Sequence, residues 1–278
     1  MTERLEIRKT YKLFIGGSFP RSESGHSYAV NSHDGGFLAN AARASRKDIR
    51  DAVVAARKAW PKWAGLTAYN RGQILYRIAE IMESRRDDFI EELGRAEGSK
   101  DAPSQVDEAI DLWVWYAGWT DKVTQVTGGL NSVAGPYFNI TAPEPTGVAG
   151  IIAPERPALL GLVERLAPAL CAGDAVVLLA SESHPLVSIT LAECLATSDV
   201  PGGVVNILTG RKAELVPVLA SHLDVDAIDI AGLDESMRAD VERAAAENVK
   251  RIIGGGRPSP QQITAFMDFK TVWHPKGA

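Results

Sequence analysis

Hydrophobic positions along this chain recur with two different grammars, and the change between them divides it. From Ser45 the apolar residues come at helical spacing. Ser45, with Asp48 three residues on, reads as an N-cap, and Ile49, Val53, Ala56 and Trp60 follow on one face. The pattern predicts helices over 45–63, 68–85, 86–97 and 103–123, with Pro61 ending the first. Trp113, Trp115, Tyr116 and Trp119 sit at helical spacing in the fourth and read as packing rather than a ligand box. From Val148 short, continuously apolar runs alternate with single helices. Strands are expected at 148–152, 175–179, 204–208 and 227–230, and helices at 158–172, 185–196, 212–221 and 236–248. That alternation predicts an α/β fold with a doubly wound, parallel, Rossmann-like sheet covered on both faces. Residues 11–40 read as short strands and turns, with Tyr11–Gly17 an alternating strand closed by glycines.

Composition narrows the classes. A chain of 278 residues with net charge −5 and no dense Lys/Arg cluster excludes nucleic acid as a partner. The apolar runs Val148–Ala153 and Ala175–Ala180 are too short to span a membrane, and MTERLEIRKTYKLF lacks a signal-peptide core. Cys171 and Cys194 give no disulfide framework, as expected of a cytoplasmic protein. His26, His33, His184, His222 and His274 show no metal-ligand spacing and read as surface or loop residues. Gly254–Gly256 lacks the strand and helix context of a phosphate loop and reads as a flexible joint.

The run Pro145–Glu182, PTGVAGIIAPERPALLGLVERLAPALCAGDAVVLLASE, resembles the aldehyde dehydrogenase superfamily pattern P-x-G-V-x-x-I-x-x-P-W-N-x-P followed by L-A-P-A-L-A-A-G-N-x-V-V-x-K-P-S-E. Phe14-Ile-Gly-Gly, the Ala59-Trp60, Trp63 and Arg71 set, Pro201–Gly210 and Asp224–Gly232 resemble further family motifs, so the likeness covers about 11–251. Beyond Arg251, Ile253-Gly-Gly-Gly-Arg-Pro stands in place of the family's E-L-G-G-K, and Phe266–Pro275 resembles the family's C-terminal strand. The implied organisation is a nucleotide-binding body over 1–252, with an oligomerisation hairpin at about 124–145, a linker at 253–265 and an oligomerisation strand at 266–278. The economical reading is an internal deletion of the catalytic domain.

The resemblance implies NAD- or NADP-dependent aldehyde oxidation through a cysteine thiolate. The working positions depart from it. Glu155-Arg156 replaces the family's Trp-Asn, whose Asn helps form the oxyanion hole, and Leu179 replaces the Lys that hydrogen-bonds ribose. The general-base Glu is missing, and Cys171 and Cys194 lie in helices outside any nucleophile motif, so no catalytic residue is assigned. For NAD or NADP the candidates are Ser181, Glu182, Gly210 and Gly232, at the strand ends where such sheets bind ligands. Leu179 and Asp234 oppose them, and Glu182 and Asp234 read equally as capping or solvated acids. Arg211 and Lys212 offer phosphate charge or are surface residues. Three functions stay open. The first is an inactive companion subunit whose arm, Leu130–Ala142 with Phe269–His274, docks on a full-length aldehyde dehydrogenase; self-association through that arm is the variant of this reading. The second is an NAD(P)-dependent oxidoreductase with a partner-completed site, and the third a nucleotide sensor.

Overall fold

A computed structural model describes residues 9–277, so the reading of the N-terminal segment lies mostly outside the described residues. Strands β1 (Thr10–Tyr11), β2 (Ser27–Asn31) and β3 (Phe37–Ala42) form a small sheet. Tyr11–Gly17 is not one strand. It breaks after Tyr11, and Phe14 instead exchanges backbone hydrogen bonds with Ile207, which extends the edge of the central sheet.

Four helices follow: α1 (Arg46–Ala64), α2 (Ala68–Ser84), α3 (Arg86–Glu97) and α4 (Ala102–Trp119). Ser45 caps α1 in a reciprocal box with Asp48. The helix runs through Pro61 rather than ending there. Proline removes one N–H close to the C-terminus, and Gly65 closes the last turn by donating to Pro61 O at 3.0 Å. Helix α4 stops at Trp119, before the expected 123, because Thr120 Oγ1 takes Ala117 O at 2.9 Å and Lys122 Nζ takes Gly118 O. A short α5 (Val123–Thr127) follows. Trp113 and Tyr116 are fully buried core; Trp115 packs edge-on against Tyr116 but is itself exposed, and Trp119 is only partly buried.

The central sheet contains β6 (Val148–Ile152), β7 (Ala175–Leu179), β8 (Val205–Leu208), β9 (Ala227–Asp229) and β10 (Arg251–Ile253), in the order β10-β9-β6-β7-β8. All of its pairings are parallel. Helices α6 (Leu160–Ala172), α7 (Leu186–Ala196), α8 (Lys212–Ala220) and α9 (Arg238–Ala246) are the crossovers. Alternation within β7 assigns its two faces. Val176 and Leu178 join the cluster of α2–α4, α6 and α7, while Val177 and Leu179 join that of α1 and α8. Each such fully buried side chain contributes about 1.5–3 kcal/mol.

The third sheet, β11-β5-β4, is built from β4 (Gly129–Asn131), β5 (Tyr137–Pro145) and β11 (Met267–Pro275). β5 and β11 pair antiparallel along their whole length, from Met267↔Pro145 to Pro275↔Tyr137. Only residues 254–266 separate β10 from β11. The stretch expected to be a linker carries a short helix, α10 (Pro260–Thr264).

That joint is held rather than free. Buried Arg165 donates to Gly256 O and Gln262 Oε1, each at 2.9 Å, and lies 3.7 Å from Asp229. Arg251 reaches Met267 O and Asp268 at the start of β11. Among the described residues no helix is long and apolar enough to cross a membrane.

Candidate nucleotide cleft and active-site positions

Parallel strands aim their carboxyl ends at one edge, and the loops leaving β6, β7 and β9 there enclose a cleft of about 590 Å³. Its lining includes Pro154, Glu155, Glu182, Lys212, Gly232 and Asp234.

Glu155 organises this edge. Its carboxylate accepts from the N–H groups of Glu182 and Ser183, at 3.1 and 3.0 Å, and lies 2.9 Å from Ser181 Oγ. Lys212 reaches it from the first turn of α8, with Nζ 2.5 Å from Oε1. Partial burial pushes the Glu155 pKa up, but the Lys212 ammonium and the backbone N–H groups outweigh it and hold the carboxyl at about 2. The same ammonium donates to Ala153 O at 2.5 Å and lies 3.4 Å from Gly232 O, so it bridges the ends of β6 and β9. The Lys212 side chain is only 13 % exposed. Lys212 is thus neither free phosphate charge nor a surface group, because the acid at 155 gives its ammonium a partner.

The four cofactor candidates come to this edge, each with a structural job. Ser181 is buried and accepts from His184 N at 2.9 Å. The Glu182 carboxylate accepts from Arg211 at 2.6 Å and from Lys212 N at 2.8 Å, which caps the start of α8. A Cβ on Gly232 would lie 2.1 Å from Ala153 O, so this glycine serves backbone packing. Gly210 has φ +153°, and a Cβ there would stand 3.0 Å from Leu215 and 3.1 Å from Ala44 N. Asp234 caps the short 3-10 turn Glu235–Met237, accepting from Ser236 N at 2.8 Å.

These residues do not fit a dinucleotide. Pyrophosphate binds at helix starts through free N–H groups and positive charge. Here the N–H groups of Lys212 and Ser236 are occupied by Glu182 and Asp234, and the nearest ammonium is paired with Glu155. Leu179, at the family's ribose-lysine position, is 1 % exposed in the core.

The catalytic positions are equally committed. Arg156 donates from Nε to His184 Nε2 at 3.0 Å. His184 lies in a loop, as expected, but it is buried rather than at the surface, and burial together with Arg156 lowers its pKa. Cys171 and Cys194 are fully buried, and burial pushes their thiols up to about 12 and about 11. A thiol so shifted supplies no thiolate near neutral pH. No group of three or more His, Cys, Asp or Glu placed to hold a metal occurs among the described residues.

On the arm, register places Leu130, Ile140 and Val272 in one row across β4, β5 and β11. They are 65, 48 and 50 % exposed, with Phe138 beside them on the same face. The opposite face is stitched by Asn131 to Asn139 and Thr141, and by Thr141 to Thr271.

Comparison with known proteins gives this arrangement its family. The model of the aldehyde dehydrogenase family matches residues 19–271. Cytosolic 10-formyltetrahydrofolate dehydrogenase of Mus musculus is 33 % identical over 267 residues, covering 92 % of this chain and 30 % of that protein. Retinal dehydrogenase 2 of Homo sapiens is 33 % identical over 279 residues, covering 96 % of this chain and 53 % of that protein. The crystal structure of PnpE in complex with nicotinamide adenine dinucleotide superposes with TM-score 0.82 at 28 % identity, covering 89 % of this chain and 51 % of that one. The chain thus spans between about a third and about half the length of these relatives. With the parallel sheet, its strand-end cleft and the match over nearly its whole length, the chain belongs to the aldehyde dehydrogenase family.

Proposed function

We propose that this chain is a non-catalytic, cytoplasmic member of the family that associates with a full-length NAD(P)-dependent aldehyde dehydrogenase, giving it the β11 arm. The observation that carries the reading is the arm itself. Among the described residues β11 is the outer strand of its sheet and pairs on one side only, with β5. One face of that sheet exposes the Leu130–Ile140–Val272 row. A long edge strand beside an exposed apolar face is an aggregation hazard unless a partner covers it, and strand addition covers it. In the family the corresponding arm pairs with a neighbouring subunit's catalytic sheet.

Two further features support an inactive role. Both thiols are buried, and the position of the oxyanion-hole Asn holds an arginine turned to His184. The partner-completed oxidoreductase needs a cleft able to hold the dinucleotide, and the occupied N–H groups and the paired Lys212 weigh against it. The test is co-expression with full-length family members, followed by size-exclusion chromatography and mass measurement. A hetero-oligomer of defined mass is expected. A monomer that ignores every partner contradicts the proposal.

A further inference from the structure

We propose that Lys212 and Glu155 close the nucleotide edge of the sheet from within, so that this chain admits neither NAD nor NADP to its cleft. Whether the arm docks is a separate matter.

The ammonium of Lys212 touches Ala153 O, Gly232 O and Glu155 together. It therefore lies across the ends of two strands, where an extended ligand would have to pass. Glu155 is in turn fixed by the N–H groups of Glu182 and Ser183. Turning Lys212 toward a phosphate would strip the charge partner from a carboxylate held at about 2, which is an ionised group throughout the neutral range. Charge works in the same direction. Glu155, Glu182 and Asp234 line the cleft, with Lys212 as the cation within it and Arg211 bound to Glu182. A pyrophosphate would add its negative charge to theirs, across distances too short for salt to screen fully.

The experiment is isothermal titration of NAD and NADP into the full chain, alongside the double variant Glu155→Gln, Asp234→Ser. That variant removes two carboxylates, keeps hydrogen-bonding groups at both positions and takes away the charged partner of Lys212, leaving its contacts to Ala153 O and Gly232 O. The wild-type chain should give no saturable binding up to ~1 mM nucleotide. The double variant should bind at least about tenfold more tightly. Saturable wild-type binding below that concentration overturns the proposal. So does a double variant that is folded by circular dichroism and binds no better. Amine acylation followed by mass spectrometry provides a reading without any variant: Lys212 should react slowly in the wild-type chain, with or without NAD. Rapid labelling of Lys212, or protection that appears only when NAD is added, overturns the closure.

Discussion

Replacing Lys212 by methionine removes the charged head and keeps most of the unbranched apolar stem, so it isolates what the bridge contributes to the fold. Deleting one partner of a fully buried pair costs about 3–5 kcal/mol, and deleting one from an exposed pair about 0–1 kcal/mol. Lys212 is 13 % exposed and Glu155 41 %, so this pair lies between the limits, and solvent screening on the Glu155 side lowers the figure to about 2 kcal/mol. For a chain of this size that is a fall in Tm of roughly 3–4 °C. Urea unfolding followed by tryptophan fluorescence measures it at neutral pH, and repeating it in acid tests the cause. The Glu155 carboxyl is held at about 2 in the folded chain against an ordinary 4.5, so the unfolded chain binds the proton more readily. The stabilisation is therefore complete above about pH 4.5 and disappears as pH falls toward 2. Wild type should lose stability steeply across that window, and Lys212→Met should lose less. A neutral-pH change below about 0.5 kcal/mol, or superimposable acid slopes, would refute the bridge.

Other consequences are open to measurement. Asp229 is buried and its pKa is raised to about 6, so the folded chain holds an extra proton between about pH 4 and 6, and its contribution to stability should fall as pH rises through that window; Asp229→Asn should remove the slope in urea titrations. Cys171 and Cys194 should resist a thiol reagent in the native chain and both react on unfolding; a fast native thiol would restore a nucleophile. Arg165→Met should release 254–266, read as faster hydrogen exchange and proteolysis there, with a stability loss of about 3 kcal/mol. Unchanged protection would mean the joint is held otherwise.

Much of the fold was legible because its signals are local. The Ser45–Asp48 cap, the apolar stripes of α1 to α4 and the short buried strands each declare themselves within a few residues. What escaped depends on neighbours distant in sequence. Phe14 leaves its expected strand to bond Ile207, and Pro61 is tolerated because it falls one turn before the helix end. At the cleft, Ser181, Glu182, Gly210 and Gly232 come together at the carboxyl edge of the sheet, as their places after strand ends imply. Those places could not reveal that Glu182 caps α8 or that Gly232 faces Ala153. The sequence names Lys212 but not its pairing: that follows only once α8 brings it to Glu155, and those two residues are far apart in the chain.

The most direct test of the account is hydrogen exchange along β11, alone and mixed with a full-length aldehyde dehydrogenase. In the isolated chain one side of Met267–Pro275 is bonded to β5 and the other lacks a partner strand among the described residues. The account predicts that the outward amides of β11 exchange quickly alone and become protected in the mixture, while the central sheet is unchanged. Exchange along β11 that stays the same with every full-length partner would contradict it.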